Sequence, residues 1–270
     1  MTGSLETKIA VVTGGAQGLG EAIALRLAQE GCDVVIGDIN ETGAAEVAAA
    51  IAAATGRRAT GAKVDVTEEA EVEALFDLTM REHGRVDIVV ANAGILIAEP
   101  IETADAERWR AVMNVNLFGY FLTTKYACRI MRRQRSGSIV SISSKSGKKG
   151  SAANSAYTAS KFGEVGHTQS VALEMAPHNV RCNAVCPGNL LDSPLWTDPE
   201  KGLFVQYLRA GKVQGATSID DVRRAYVDQV PMGRGCSYDD VCDAVVFLAS
   251  DRSSYITGIA LSVTGGQEMN

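Results

Sequence analysis

Short apolar runs rich in Val and Ile alternate along the chain with longer stretches of helical period. The runs predict strands at 8–13, 33–37, 62–66, 86–91, 138–142, 180–185 and 259–263. The stretches between them predict helices at 19–30, 41–55, 68–83, 105–133, 155–176 and 239–250. Strands that are apolar throughout are buried on both faces. Strands separated by helices must run parallel, because the crossover returns each one to the same edge. The fold class predicted is therefore α/β: a doubly wound parallel sheet in one domain covering residues 1–270. One segment, 189–237, breaks the alternation. It holds Pro194, Pro199 and Pro231 and two short helical patterns at 200–211 and 218–228. An insertion after a parallel strand lies at the carboxyl edge of the sheet, where ligands bind, so it is expected to be a substrate lid. A subunit contact is the alternative.

Composition narrows the partners. The 270 residues are 46% hydrophobic and 21% charged, with a net charge of −6, as in a soluble globular protein. No basic excess exists to neutralise a phosphate backbone, which argues against nucleic acid. No apolar stretch is long enough for a membrane span, and the start of the chain does not read as a signal peptide. Six cysteines form no CxxC pair and three histidines are scattered, so no metal site is expected, and a reduced, cytoplasmic chain is.

Chemistry concentrates at a few places. Thr13-Gly14-Gly15-Ala16-Gln17-Gly18-Leu19-Gly20 lies between the first strand and the first helix. Glycines there allow a pyrophosphate to approach the helix N-terminus, where free N–H groups and the dipole favour anions. A structural turn is the plainer reading of such glycines, but the position between strand and helix argues for a dinucleotide. Asp38, followed by Ile39, ends the second strand and can accept hydrogen bonds from a ribose diol while repelling a 2′-phosphate. No basic residue adjoins it in the sequence, and Gln17 is neutral, so NAD is expected rather than NADP. Tyr157 and Lys161 stand at i and i+4, on one helix face, where the lysine's charge favours the phenolate. Ser143 and Ser144 close the fifth strand. Asn116, inside the long helical stretch, has poor helix propensity.

Together these positions resemble the short-chain dehydrogenase/reductase family across nearly the whole chain. The matching stretches are Thr13–Gly20, Asp65-Val66, Asn92-Ala93-Gly94, Asn116, Ser144, Tyr157–Lys161 and Pro187-Gly188. The separation of 157 − 144 = 13 residues is the family's usual one and selects Ser144 over Ser143. The resemblance implies a Rossmann-like sheet of seven strands and a homotetramer. It implies that Tyr157 is the acid/base, and that Lys161 binds the nicotinamide ribose and tunes Tyr157. Ser144 would hold the substrate oxygen, and Asn116 a water in a proton relay. Asp65 and Val66 would meet the adenine, and Asn92 would steady the central strand. After Pro187-Gly188 the chain departs from the family's pattern: Asn189-Leu190-Leu191-Asp192 precedes Ser193, which takes the place of a threonine that meets the carboxamide.

A narrower resemblance surrounds the catalytic serine and the lid. Ser144-Lys145-Ser146-Gly147-Lys148, Asn154-Ser155, Gly188-Asn189-Leu190-Leu191 and Arg234-Gly235-Cys236 are similar to dehydrogenases of sugar-alcohol phosphates. It implies a polyol or polyol phosphate as the small-molecule substrate. Lys145, Lys148 and Lys149 would supply positive charge, although any single one of them reads better as a solvated loop lysine. Asn154 would offer its amide to substrate hydroxyls or cap the helix that follows. Asp192 argues the other way, as a carboxylate near the same mouth. A dinucleotide-sensing protein on this fold would be expected to lack one of Ser144, Tyr157 and Lys161; all three are present.

Overall fold

The computed structural model describes residues 5–269. The first four residues, the opening of the stretch read above as no signal peptide, lie outside the described part. Seven strands form one sheet: β1 (Ile9–Thr13), β2 (Asp33–Asp38), β3 (Ala59–Lys63), β4 (Ile88–Ala91), β5 (Gly137–Ile142), β6 (Val180–Pro187) and β7 (Ala260–Val263). They lie in the order 3-2-1-4-5-6-7 and every pair is parallel. β1 and β4 are buried along their whole length, as the unbroken apolar runs require.

Two helical layers cover the sheet. Helices α1 (Gly18–Gln29) and α2 (Glu41–Thr55) pack on one face. Helix α3 (Glu69–His83) packs on the other. In α2 the buried residues Ala44, Val47, Ala48 and Ile51 fall at i, i+3, i+4 and i+7, a single stripe. Asn40 caps this helix by accepting from the Gly43 amide, and Gly56 ends it in the left-handed region at φ 70°.

Strand β3 lies earlier than the 62–66 expected. Its pairing with β2 runs from Val34↔Ala59 to Asp38↔Lys63 and stops there. Val64 and Val66 alternate as strand residues would, yet they are past the ladder, with their side chains in the core beneath α3. Ala-Thr-Gly-Ala-Lys is weak strand sequence, and pairing at the sheet edge selects it. Gly61 is needed because a Cβ there would come 2.5 Å from the Ala44 carbonyl of α2.

The long helix expected at 105–133 is divided. Helix α4 (Ala106–Met113) leads into a π-helical segment, Asn114–Phe118, and then α5 (Gly119–Gln134). Helix α6 (Ser155–Met175) follows β5. The 189–237 segment carries three short helices: α7 (Pro194–Thr197), α8 (Leu203–Arg209) and α9 (Ile219–Asp228). They close over a separate apolar cluster of Leu191, Trp196, Leu203, Phe204, Tyr207 and Tyr226. Helix α10 (Tyr238–Ala249), opened by a Ser237/Asp240 capping box, completes the first layer.

Candidate active site

The chain reverses direction across the sheet between β1 and β4, and this switch point opens a crevice at the strands' carboxyl ends. A cleft of about 1470 Å³ begins there and continues under the 189–237 segment. Every position expected to hold the dinucleotide, from Gly14 to Gly188, lines it. So do Ser144, Lys145, Asn154 and Asn189. Asn116 and Lys148 do not.

The glycine turn is tight enough to exclude side chains. Gly14 and Gly18 have φ of 66° and 61°, and a Cβ on Gly20 would fall 2.0 Å from the Gly14 carbonyl oxygen. Asn92 locks the turn to the sheet by donating from Nδ2 to the Gly14 and Thr13 carbonyls at 2.8 and 3.2 Å. The Asp38 carboxylate accepts from the Ala16 amide at 3.0 Å and the Asn40 amide at 2.9 Å. It is thereby fixed at the cleft wall next to the turn. The sheet also brings up a cation that the linear sequence hides. Lys63 is the register partner of Asp38, although its ammonium lies toward Glu71, 4.0 Å away. Ser193 Oγ is buried and has no hydrogen-bond partner, and Ser193 lines the cleft next to Pro187 and Gly188. A turn with glycine at its closest approaches, a carboxylate beside it and an unpartnered hydroxyl fit a nicotinamide dinucleotide.

Tyr157 and Lys161, the expected acid/base pair, line the cleft from the first two turns of α6. Lys161 Nζ lies 5.5 Å from the centre of the Tyr157 ring. Lys161 is fully buried, and its Nζ donates to the Ile142 carbonyl at 2.9 Å and to Glu164 at 2.7 Å. The two serines separate by position. Ser143 is buried and donates to the Lys161 carbonyl at 3.2 Å. Ser144 is partly open on the cleft, its Oγ accepting from the Ser146 amide at 3.0 Å.

Asn116 owes its place to the π-helical segment. Its buried side chain is fully engaged: Oδ1 accepts from the Ile95 amide at 2.8 Å, and Nδ2 donates to the Ile95 carbonyl and to Ser160 Oγ, both at 3.0 Å. It ties the loop after β4 to α6. A cavity of about 10 Å³, near the minimum for one water, lies between Asn116, Thr13, Tyr120 and Glu164.

Of the three lysines expected at the substrate end, Lys148 is turned away. It bonds Ser262 Oγ at 3.0 Å and the Ala260 carbonyl, so its charge serves β7. Lys145 and Lys149 line the cleft, and Lys212 joins them from the loop after α8. Lys145 stands 5.7 Å from the Tyr226 ring centre and Lys212 3.8 Å from that of Tyr207. The two tyrosines stack at 5.5 Å, with Trp196 edge-on to both. Burial, then the charge of Lys149, lowers the Lys145 ammonium to about 8. Burial, then the charge of Lys145, lowers Lys212 to about 7. Asn154 stands at the N-terminus of α6 without capping it. The amide orientation that satisfies its neighbours has Oδ1 accepting from Tyr207, Lys212 and Ser151. Asp192, which carried the opposing argument, is ion-paired with Arg223.

Residues 8–201 match the family described as short chain dehydrogenase, and residues 204–268 match that described as enoyl-(acyl carrier protein) reductase. The chain is 41% identical to sorbitol-6-phosphate 2-dehydrogenase of Escherichia coli over 264 residues, 97% of this chain and 99% of that one. Among solved structures it resembles sorbitol-6-phosphate 2-dehydrogenase SrlD from Erwinia amylovora, with TM-score 0.91 and 42% identity over 97% of this chain and 100% of that one. It also resembles an NAD+-bound xylitol dehydrogenase, with TM-score 0.90 and 31% identity over 97% and 99% of the two chains.

Proposed function

The chain belongs to the short-chain dehydrogenase family, and within it we propose an NAD-dependent dehydrogenase of a hexitol 6-phosphate, converting sorbitol 6-phosphate to fructose 6-phosphate. The observation that carries the substrate class is the pair Lys145 and Lys212. Two partly desolvated ammonium groups share one end of the cleft, Lys145 weakening the hold of Lys212 on its proton and Lys149 that of Lys145. Neither forms an ion pair among the described residues. Such an arrangement costs stability until an anion enters, and a phosphate dianion supplies the missing charge. The stacked tyrosines form an amphipathic wall for a polyol chain.

When bound, the nicotinamide supplies the hydride acceptor. The chain's own residues supply the rest. Tyr157 takes the hydroxyl proton of the alcohol, Ser144 donates a hydrogen bond to the same oxygen, and Lys161 stabilises the phenolate that receives the proton. Asp38 holds the adenosine ribose diol. Its charge disfavours a 2′-phosphate, and the diversion of Lys63 toward Glu71 leaves that charge in force. Asp65 and Val66 border the adenine, and Ser193 meets the carboxamide. The 189–237 segment acts as the substrate lid. The six free cysteines support a reducing, cytoplasmic setting. Trp109, Phe118, Phe121 and Phe162 are more than a third exposed on α4, α5, α6 and the π-helical segment. They support a homotetramer with paired helices.

An unphosphorylated polyol is the competing substrate, which the likeness to the xylitol enzyme favours. The deciding experiment is kcat/KM with NAD for sorbitol 6-phosphate against sorbitol. A large ratio is expected. A ratio near or below one refutes the phosphate reading and leaves the free polyol.

A further inference from the structure

Lys161 has a second buried partner that the proton chemistry described above does not use. Position 164 lies three residues further along α6 and carries a glutamate. Its Oε1 is 2.7 Å from Lys161 Nζ, and the two side chains are only 4% and 3% exposed. Its other oxygen accepts from Ser141 Oγ of β5 at 3.1 Å. A carboxylate this far from water persists only when paired and hydrogen-bonded, and removing it alone would leave the Lys161 ammonium buried without its counter-charge. Pairing with Lys161 explains how the charge is tolerated and does not by itself account for its presence.

The donors of Lys161 point to what does. Two of its three N–H bonds go to Ile142 and Glu164, which leaves the third for the cleft that Lys161 lines. We propose that Glu164 is a positioning residue for Lys161, aiming its ammonium at the cleft and, as a fixed negative charge beneath it, setting the pH at which the Tyr157/Lys161 pair gives up its proton. This rests on the reading that Tyr157 and Lys161 carry the proton, but not on which alcohol is oxidised.

Among the described residues, another charge near the cluster is that of Lys148, which acts on Cys186 from the β7 side. Tyr120 of α5 and Cys186 of β6 face the same spot, and burial holds both in their neutral forms. Ser141 of β5, Ser143 just after that strand and Thr168 of α6 contribute hydroxyls. Burial opposes the Lys161 ammonium, yet the Glu164 charge lifts it above the ordinary lysine value. Burial holds the Glu164 carboxyl above the usual carboxylate range, with Lys161 pulling against it. Removing a negative charge from such a cluster lowers the proton affinity of every group in it, whichever member of the coupled pair carries the proton. Glu164 Oε1 is 2.7 Å from Lys161 Nζ, which is 5.5 Å from the Tyr157 ring centre, so the carboxylate oxygen lies within the sum of the two from that ring. At an effective dielectric of about 20, a unit charge at that distance moves a titration by about one pH unit.

The test is Glu164→Gln, which keeps both hydrogen-bond partners and removes only the charge. With NAD and whichever alcohol the wild type oxidises, the rising limb of kcat/KM is expected about one pH unit lower in the variant. In parallel, phenolate absorbance is titrated without substrate, as the difference between each enzyme and its own Tyr157→Phe form; the same downward shift is expected. If the wild type oxidises no alcohol, the functional reading fails while the absorbance titration still tests Glu164. Ser141→Ala, which keeps the charge and removes one donor to the carboxylate, is expected to shift both curves slightly the opposite way, upward, and it decides the matter if Glu164→Gln does not fold. Loss of stability or of kcat at all pH values, with no shift in either titration, overturns the proposal.

Discussion

The lysine pair at the substrate end makes a prediction that can be worked out before any substrate is tried. Lys212 is held at about 7 by burial and by Lys145. In the free enzyme it is about half protonated at pH 7 and about one-hundredth protonated at pH 9. A bound phosphate dianion holds that proton on, so the bound value lies above the free one. The stabilisation is complete below the free value and is lost as pH rises from there toward the bound value. A phosphate monoester is already a dianion over this range, its second pKa being about 6. KM for sorbitol 6-phosphate should therefore rise roughly ten- to fifty-fold between pH 7 and pH 9. KM for sorbitol should be nearly flat. Lys212→Ala removes a charge-assisted contact worth about 1.5–3 kcal/mol. That raises KM for the ester roughly ten- to a hundred-fold at pH 7 with little change in kcat, since the contact is equal in ground and transition states. The variant should also lose most of the pH slope, keeping the weaker one set by Lys145 at about 8. Initial rates with NAD, both substrates and both enzymes across the range suffice. Equal pH slopes for the ester and for sorbitol, or an unchanged slope in Lys212→Ala, would refute the reasoning.

Other expectations follow from the same geometry. Tyr157→Phe should lower turnover by ~10²–10⁴-fold while NADH binding, followed by fluorescence, stays close to normal; retention of a tenth of wild-type activity would assign the proton to another group. Asp38→Ala combined with Ile39→Arg should move the preference from NAD toward NADP, by removing a repulsion and adding a fork for the 2′-phosphate; equal use of both cofactors by the wild type would remove the role given to Asp38. Light scattering at micromolar concentration should report a tetramer, and a monomer mass would mean that the exposed aromatic residues of α4, α5 and α6 are not buried by copies of this chain.

What the sequence determined is what depends on near neighbours. Apolar runs report burial on both faces of a strand, so the parallel sheet and its seven strands were legible from pattern and resemblance. The glycine turn was legible because a strand, a glycine-rich turn and a helix follow one another directly, and Tyr157 with Lys161 because i and i+4 share a helix face. Glu164 was within the same reach, three residues beyond Lys161, and was passed over; a charged residue on the buried side of a helix was the available signal. The tertiary structure decided the rest, because it depends on which distant residues the sheet and lid bring together. Strand β3 stops at Lys63 because the ladder with β2 stops there. That ladder also places Lys63 beside Asp38, 25 residues away in the chain. Lys148 looks like its neighbours in the sequence, yet its ammonium goes to β7, more than 100 residues on. Lys212 lines the cleft because the chain after α8 folds back over it. A lysine's charge can be read from one position, but where that charge points is set by partners far along the chain.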